Sequence, residues 1–293
     1  MKIAFFGTPE FSVPFLTALD NDEDLIVSTV ICQPDKPVGR KKVLTAPATK
    51  QYALEHNIKV LQPASLKKDP IELDADLFIV VAYGKIIPQN ILDIPKHGTV
   101  NVHPSLLPKY RGPSPMQAAI ANLDRETGVS IMLLDAKMDH GPLLAQETIK
   151  LDGTETYPDL QHKVHALAPG LLVDTVKAHT SGSITPKEQD HDAATICKLL
   201  SRDDGKVDWN DSAEVIDAKR RAYTPWPGVS MTWDEKTFKI HNTSISDKKL
   251  PVGGHLTEEN RLFFGTSTTA LEILEIQPEG KQRMKTEDFL RGK

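Results

Sequence analysis

The first half of the chain repeats one pattern: a short, nearly unbroken apolar run, a segment with helical spacing, then another apolar run. The runs lie at 3–6, 25–32, 77–82, 99–102 and 129–134. A strand buried on both faces has no polar alternation, so runs this short and continuous predict interior strands. Helices are expected at 45–56, 114–123 and 157–178. In the last, Leu160, Val164, Leu167, Leu171, Leu172 and Val176 recur on one face. Strand and helix in alternation predict an α/β domain with a mostly parallel sheet.

After Gly182 the pattern gives way to a polar stretch that reads as a linker, and from about Gly205 short alternating segments are separated by Gly, Asn and Asp. That rhythm predicts a small antiparallel β-barrel or sandwich. The 293 residues divide on this reading into an α/β domain at 1–185, a linker at 186–204 and a smaller domain at 205–293.

With 35 basic against 40 acidic residues the net charge is −5, which on its own counts against a nucleic-acid partner. Cys32 and Cys197 form no C-x-x-C pair and read as reduced thiols, without a disulfide framework or zinc knuckle. The start of the chain lacks the features of a signal or transit segment, and no apolar stretch reaches membrane-spanning length. A cytoplasmic protein without a membrane partner is expected.

The turn after the first run, Gly7-Thr8-Pro9-Glu10-Phe11, has one glycine where a dinucleotide fingerprint has three, and no phosphate loop of the G-x-x-x-x-G-K-[ST] type occurs. Neither an NAD nor an ATP enzyme is indicated. The densest group of chemical side chains runs from Asn101 to Pro115. Residues two apart share a face of a strand, so Asn101 and His103 project together at a strand's carboxyl end, where open α/β sheets place ligands. Their N–H donors suit an oxyanion developing at an attacked carbonyl. Asp139, in a Gly/Pro turn beyond the run at 129–134, could orient the His103 ring. Spacing alone fits equally a satisfied polar pair and an ordinary turn. His103, Asp139 and His140 make a weak case for a metal site, and His162 and His165 are expected on a solvated helix face.

Asn101-Val102-His103, Ser105-Leu106-Leu107-Pro108, Arg111-Gly112 and Asp139-His140-Gly141 together closely resemble the folate-dependent formyltransferases. The resemblance implies a Rossmann-like formyltransferase domain followed by an OB-like β-barrel domain. It implies that Asn101, His103 and Asp139 are the catalytic trio and that Ser105, Leu106, Leu107 and Pro108 line a folate site. It also implies that the backbone around Val81, Tyr83, Gly84 and Ile86 holds the pterin ring. The formyl donor would be 10-formyltetrahydrofolate, and no metal would be needed.

The runs at 7–11, 33–40, 221–228 and 277–281 are similar to the branch of that family acting on methionyl-tRNA. This implies the initiator methionyl-tRNA as acceptor and translation initiation as the setting, with no DNA partner. An amino-sugar N-formyltransferase is the alternative. From Lys36 to Lys50 there are five basic residues and no acid. Lys36, Arg40, Lys41 and Lys42 therefore read as an RNA-facing loop, joined by Arg221 and Lys281 from later basic clusters. Trp209, Trp226 and Trp233 could stack on bases, but Trp226, between two prolines, reads better as a core or interface anchor.

Overall fold

A computed structural model describes every residue except Arg40, Pro70 and Lys293. The expected runs become strands, each shifted by a residue or more at one end. In chain order the first nine are β1 (Lys2–Gly7), β2 (Ile26–Ile31), β3 (Lys36–Val38), β4 (Val43–Thr45), β5 (Lys59–Leu61), β6 (Leu77–Val81), β7 (Thr99–His103), β8 (Glu126–Leu133) and β9 (Leu143–Lys150). Ile3, Ala4, Phe5 and Phe6 of β1, and all of β6 and β7, are buried; β1 and β6 therefore carry no alternation, while β7 is buried although Thr99, Asn101 and His103 alternate with its valines. The helices are α1 (Val13–Asp20), α2 (Ala48–Glu55), α3 (Gln89–Leu92), α4 (Pro115–Ala121), α5 (Tyr157–Thr180), α6 (Ala213–Ala222) and α7 (Thr286–Arg291).

Seven strands form one sheet in the order β5-β2-β1-β6-β7-β8-β9. Pairing is parallel from β5 to β7 and turns antiparallel between β7 and β8. The chain winds outward from β1 through β2 to β5, then returns to the other side of β1 at β6. The winding therefore reverses between β1 and β6, and a ligand crevice is expected at their carboxyl ends. Those ends are Gly7 and Val81, which face each other in register, and β7 ends beside them at His103. Gly7 is the lone glycine of its turn for a steric reason: a Cβ there would stand 2.5 Å from Phe5 and 3.0 Å from the Val81 carbonyl oxygen.

The chain divides into two units. The first comprises Met1–Gly112, Thr127–Ile149 and Gln161–Ile196; the second comprises Pro113–Glu126, Lys150–Leu160 and Cys197–Lys293. Part of the stretch read as a linker belongs to the first unit. Lys187 exchanges two backbone hydrogen bonds with Leu143 at 2.7 and 2.8 Å, and Gln189 is buried. His165 does not lie on a solvated face: its Nε2 meets the Phe11 carbonyl oxygen at 3.1 Å and its ring packs on Phe11. Burial pushes its imidazole below the ordinary value, against the hydrogen bond to Phe11.

The second unit holds an antiparallel sheet of β10 (Val229–Trp233), β11 (Lys236–Ser246), β12 (His255–Glu258), β13 (Arg261–Gly265), β14 (Ala270–Pro278) and β15 (Met284–Lys285). Its order is β10-β11-β14-β13-β12, with β15 on β14. No pairing joins β10 to β12 among the described residues. An aromatic core fills one face: Trp209 stacks on Phe264 at 4.6 Å, and Trp233 packs against Phe238 and Phe289. Trp226 is not part of this core. It is 52% exposed, so the flanking prolines mark a surface turn.

Candidate active site

β7 carries Asn101 and His103 on one face, two residues apart, each held by pairing to β8 at Met132 and Ser130. Both are buried, Asn101 at 9% exposure, and the Asn101 amide has no hydrogen-bond partner among the described residues. The amide is not among the side-chain groups sealed from solvent, so its donors are open to a ligand. His103 Nε2 lies 2.9 Å from the Tyr110 carbonyl oxygen. A carbonyl only accepts, so Nε2 bears the hydrogen and Nδ1 is the nitrogen turned to Asp139 Oδ2, 3.7 Å away. A bare Nδ1 and a carboxylate would oppose each other as two acceptors. Facing each other as acceptors, the two atoms form a site that can take up a proton.

Asp139 is placed by its own turn. Its Oδ2 accepts the Gly112 amide at 2.7 Å. Gly141 lets the turn press against β8, since a Cβ there would stand 2.1 Å from the Leu133 carbonyl oxygen. Tyr110 and Asp139, the two residues that meet His103, have φ of 58° and 47°. Non-glycine residues seldom adopt this left-handed region, so surrounding contacts must hold both in place. Among the described residues no three His, Cys, Asp or Glu side chains stand together as metal ligands.

The Ser105-Leu106-Leu107-Pro108 loop follows β7 directly. Ser105 is buried, and its hydroxyl donates to the Lys109 carbonyl oxygen at 2.6 Å, so it closes the loop. Leu107 is buried, while Leu106 and Pro108 are partly open. The loop hangs on Ser130, a residue the sequence reading missed. Ser130 Oγ donates to the Ser105 carbonyl oxygen at 2.6 Å, accepts the Leu107 amide at 3.0 Å and accepts from Gln146 Nε2 at 2.8 Å.

After β6, Val81 and Tyr83 turn inward and Gly84 and Ile86 turn outward. The Val81 carbonyl accepts from Ser12 Oγ at 2.7 Å, and the Tyr83 carbonyl accepts from Thr8 Oγ1 and Gln33 Nε2. The Tyr83 carbonyl thus has both lone pairs engaged. Burial pushes the Tyr83 phenol up to about 12 and keeps it neutral in the core. Gly84 takes φ of 77°, and Ile86 is 84% exposed.

The basic candidates separate in the same way. Lys36, Lys41 and Lys42 are exposed on the β3–β4 hairpin, which the sequence reading left as a loop; Arg40 lies outside the described residues. Lys281 is exposed as well. Arg221 is not surface charge: it is 6% exposed, its Nε donates to Asp217 Oδ2 at 2.8 Å and its Nη1 to the Glu155 carbonyl oxygen at 2.9 Å. Its neighbours Lys219 and Arg220 are paired with Asp211 and Asp217. The three cations at 219–221 thus share two carboxylates within their own unit, which leaves the run one positive charge.

A doubly wound sheet with an Asn, His and Asp group at its switch point, followed by an antiparallel β domain, defines a class of α/β enzyme with an appended β module. The family follows from comparison with known proteins. Residues 1–176 match the formyl transferase model and residues 199–293 the model of the formyl transferase C-terminal domain. The chain is 41% identical to a methionyl-tRNA formyltransferase of Roseiflexus castenholzii, covering 100% of this chain and 96% of that one. It is 39% identical to a methionyl-tRNA formyltransferase of Listeria monocytogenes, covering 99% and 95%. Among solved structures, an N-formyltransferase from Helicobacter canadensis, in complex with folinic acid and dTDP-3-aminofucose, shares the fold. Its TM-score is 0.70 at 17% identity, over 97% of this chain and 100% of that one. The chain belongs to the formyl transferase family.

Replacing Ser130 with Ala should leave two buried backbone groups without partners. Unfolding in urea should show a loss of about 1–3 kcal/mol, with weaker binding of a folate analogue measured by calorimetry.

Proposed function

We propose that this chain transfers a formyl group from 10-formyltetrahydrofolate to the α-amino group of initiator methionyl-tRNA. One observation carries the reading: an unpartnered, buried Asn101 amide beside the His103–Asp139 pair, at the carboxyl end of β7. Identity near 40% with methionyl-tRNA formyltransferases over the whole length supports the acceptor.

The residues present fit a folate donor. A pterin needs polar backbone groups and an apolar wall. The amides of Gly84, Lys85 and Ile86 have no acceptor among the described residues, and Leu106 and Ile86 offer apolar surface. Gly84, Ile86, Leu106 and Pro108 are the members of the expected folate set that face outward. Ser105, Leu107, Val81 and Tyr83 support them from within.

The amine lone pair forms a bond to the formyl carbon, and the bond from that carbon to the folate nitrogen breaks. A neutral amine is required, and with a free-amine pKa near 8 a modest base suffices. The His103–Asp139 pair receives the proton the amine gives up and returns one to the departing nitrogen. Asn101 donates to the formyl oxygen as negative charge develops there, and a proton taken up by His103 from the amine adds to the same field.

Purified protein with 10-formyltetrahydrofolate should formylate methionyl-tRNA and leave a dTDP-linked amino sugar untouched. The opposite preference would assign an amino-sugar N-formyltransferase instead. Asn101→Ala should lower kcat by about a hundredfold or more with the fold intact by circular dichroism. Lys41→Ala with Lys42→Ala should lower the slope of log affinity for tRNA against log salt by about one to two and leave folate binding unchanged. An unchanged slope would remove the hairpin from the RNA contact.

A further inference from the structure

Gln189 comes from the polar stretch that the sequence presents as a linker, yet it is 5% exposed and all its polar capacity is directed at the active-site loops. Its Nε2 donates to the carbonyl oxygens of Asp139 at 3.0 Å and Gly141 at 2.7 Å. Its Oε1 accepts from Arg111 Nε at 3.2 Å and Nη2 at 2.7 Å. The amide has only one consistent orientation, because carbonyls only accept and a guanidinium only donates. Arg111 stands between Tyr110, whose carbonyl holds His103 Nε2, and Gly112, whose amide holds Asp139 Oδ2. One carboxamide therefore ties the turn carrying Asp139 to the segment that fixes His103.

We propose that Gln189 is a positioning residue for formyl transfer, setting where the Asp139 carboxylate stands relative to the His103 ring. This rests on the reading that His103 and Asp139 handle the proton. Asp139 has a left-handed backbone, and the bonds to its own carbonyl and to that of Gly141 lie on the residues that must be restrained. The 3.7 Å between Nδ1 and Oδ2 is longer than a hydrogen bond, so it is set by the two backbones and not by direct attraction. A displacement of about 1 Å at such a point costs about a hundredfold in rate.

Gln189→Glu separates positioning from folding. The carboxylate keeps the length of the side chain and keeps Arg111 as a partner, but it cannot donate to the two carbonyls. Two carbonyls lose their donor, so the thermal midpoint should fall by a few degrees with cooperative unfolding retained. The kcat for formyl transfer should fall at least about tenfold while both KM values change less than about twofold. The Gly112 amide, bonded to Asp139, should exchange with solvent about tenfold faster while amides of β7 keep their protection. Gln189→Met, which loses all four bonds but fills the space, should give the same pattern.

Wild-type kcat together with wild-type exchange at Gly112 in both variants would overturn the proposal. A parallel loss of protection across β7 and of cooperative unfolding would also overturn it, because Gln189 would then support only the fold. Should the wild-type protein transfer no formyl group, the functional reading fails by itself, and exchange at Gly112 still decides whether Gln189 holds Asp139.

Discussion

The site depends on how the His103 ring is held. A backbone carbonyl, that of Tyr110, receives Nε2–H, and an acceptor that cannot donate leaves the ring no choice of which nitrogen carries that proton. Nδ1 is thereby committed to Asp139. The rest of the first unit keeps the three participants in register. β7 supplies Asn101 and His103 from a fully buried strand, the left-handed Tyr110 turns its carbonyl back to the ring, and Asp139 is gripped through Gly112.

Rigid and exposed parts are divided along the same lines. Inside, Ser130 and the carbonyls of Val81 and Tyr83 carry loops through bonds with neighbours such as Ser12, Gln33 and Gln146. Outside, Gly84, Ile86 and the β3–β4 hairpin present backbone, apolar surface and positive charge. A net charge of −5 is compatible with an RNA acceptor because the hairpin's lysines are exposed, whereas two of the three charges at 219–221 are balanced by Asp211 and Asp217. The overall excess of acid would limit indiscriminate binding of RNA.

The interior strands were legible in the sequence because burial on both faces favours apolar residues: β1 and β6 are nearly unbroken apolar runs, and β2, β7 and β8 keep enough Val, Ile, Leu and Met to show despite Ser28, Thr29, Asn101, His103 and Ser130. β9 was not legible: on the outer position of the sheet its residues 143–150 are mostly half or fully exposed, and Leu-Leu-Ala-Gln-Glu-Thr-Ile-Lys carries no clear period. Both strands of the β3–β4 hairpin are exposed and read as loop for the same reason. Asn101, His103 and Asp139 were found because their chemistry and spacing stand out. Gln189 and Ser130 were missed because a buried polar residue satisfied by distant partners looks, in sequence, like any surface residue. Arg221 was misjudged on the converse ground, since sequence reports charge and not exposure. Trp226 shows the same limit for an apolar residue, being exposed where its ring suggested a core.

Nitrogen-15 NMR of labelled protein, with the His103 signal assigned by comparison with a His103→Asn variant, reads the proton on each ring nitrogen directly. Nε2 of His103 should be protonated in every charge state of the ring, with a coupling pattern that marks a hydrogen bond to a carbonyl. A ring protonated only at Nδ1 would contradict the arrangement from which the roles of His103 and Asp139 follow.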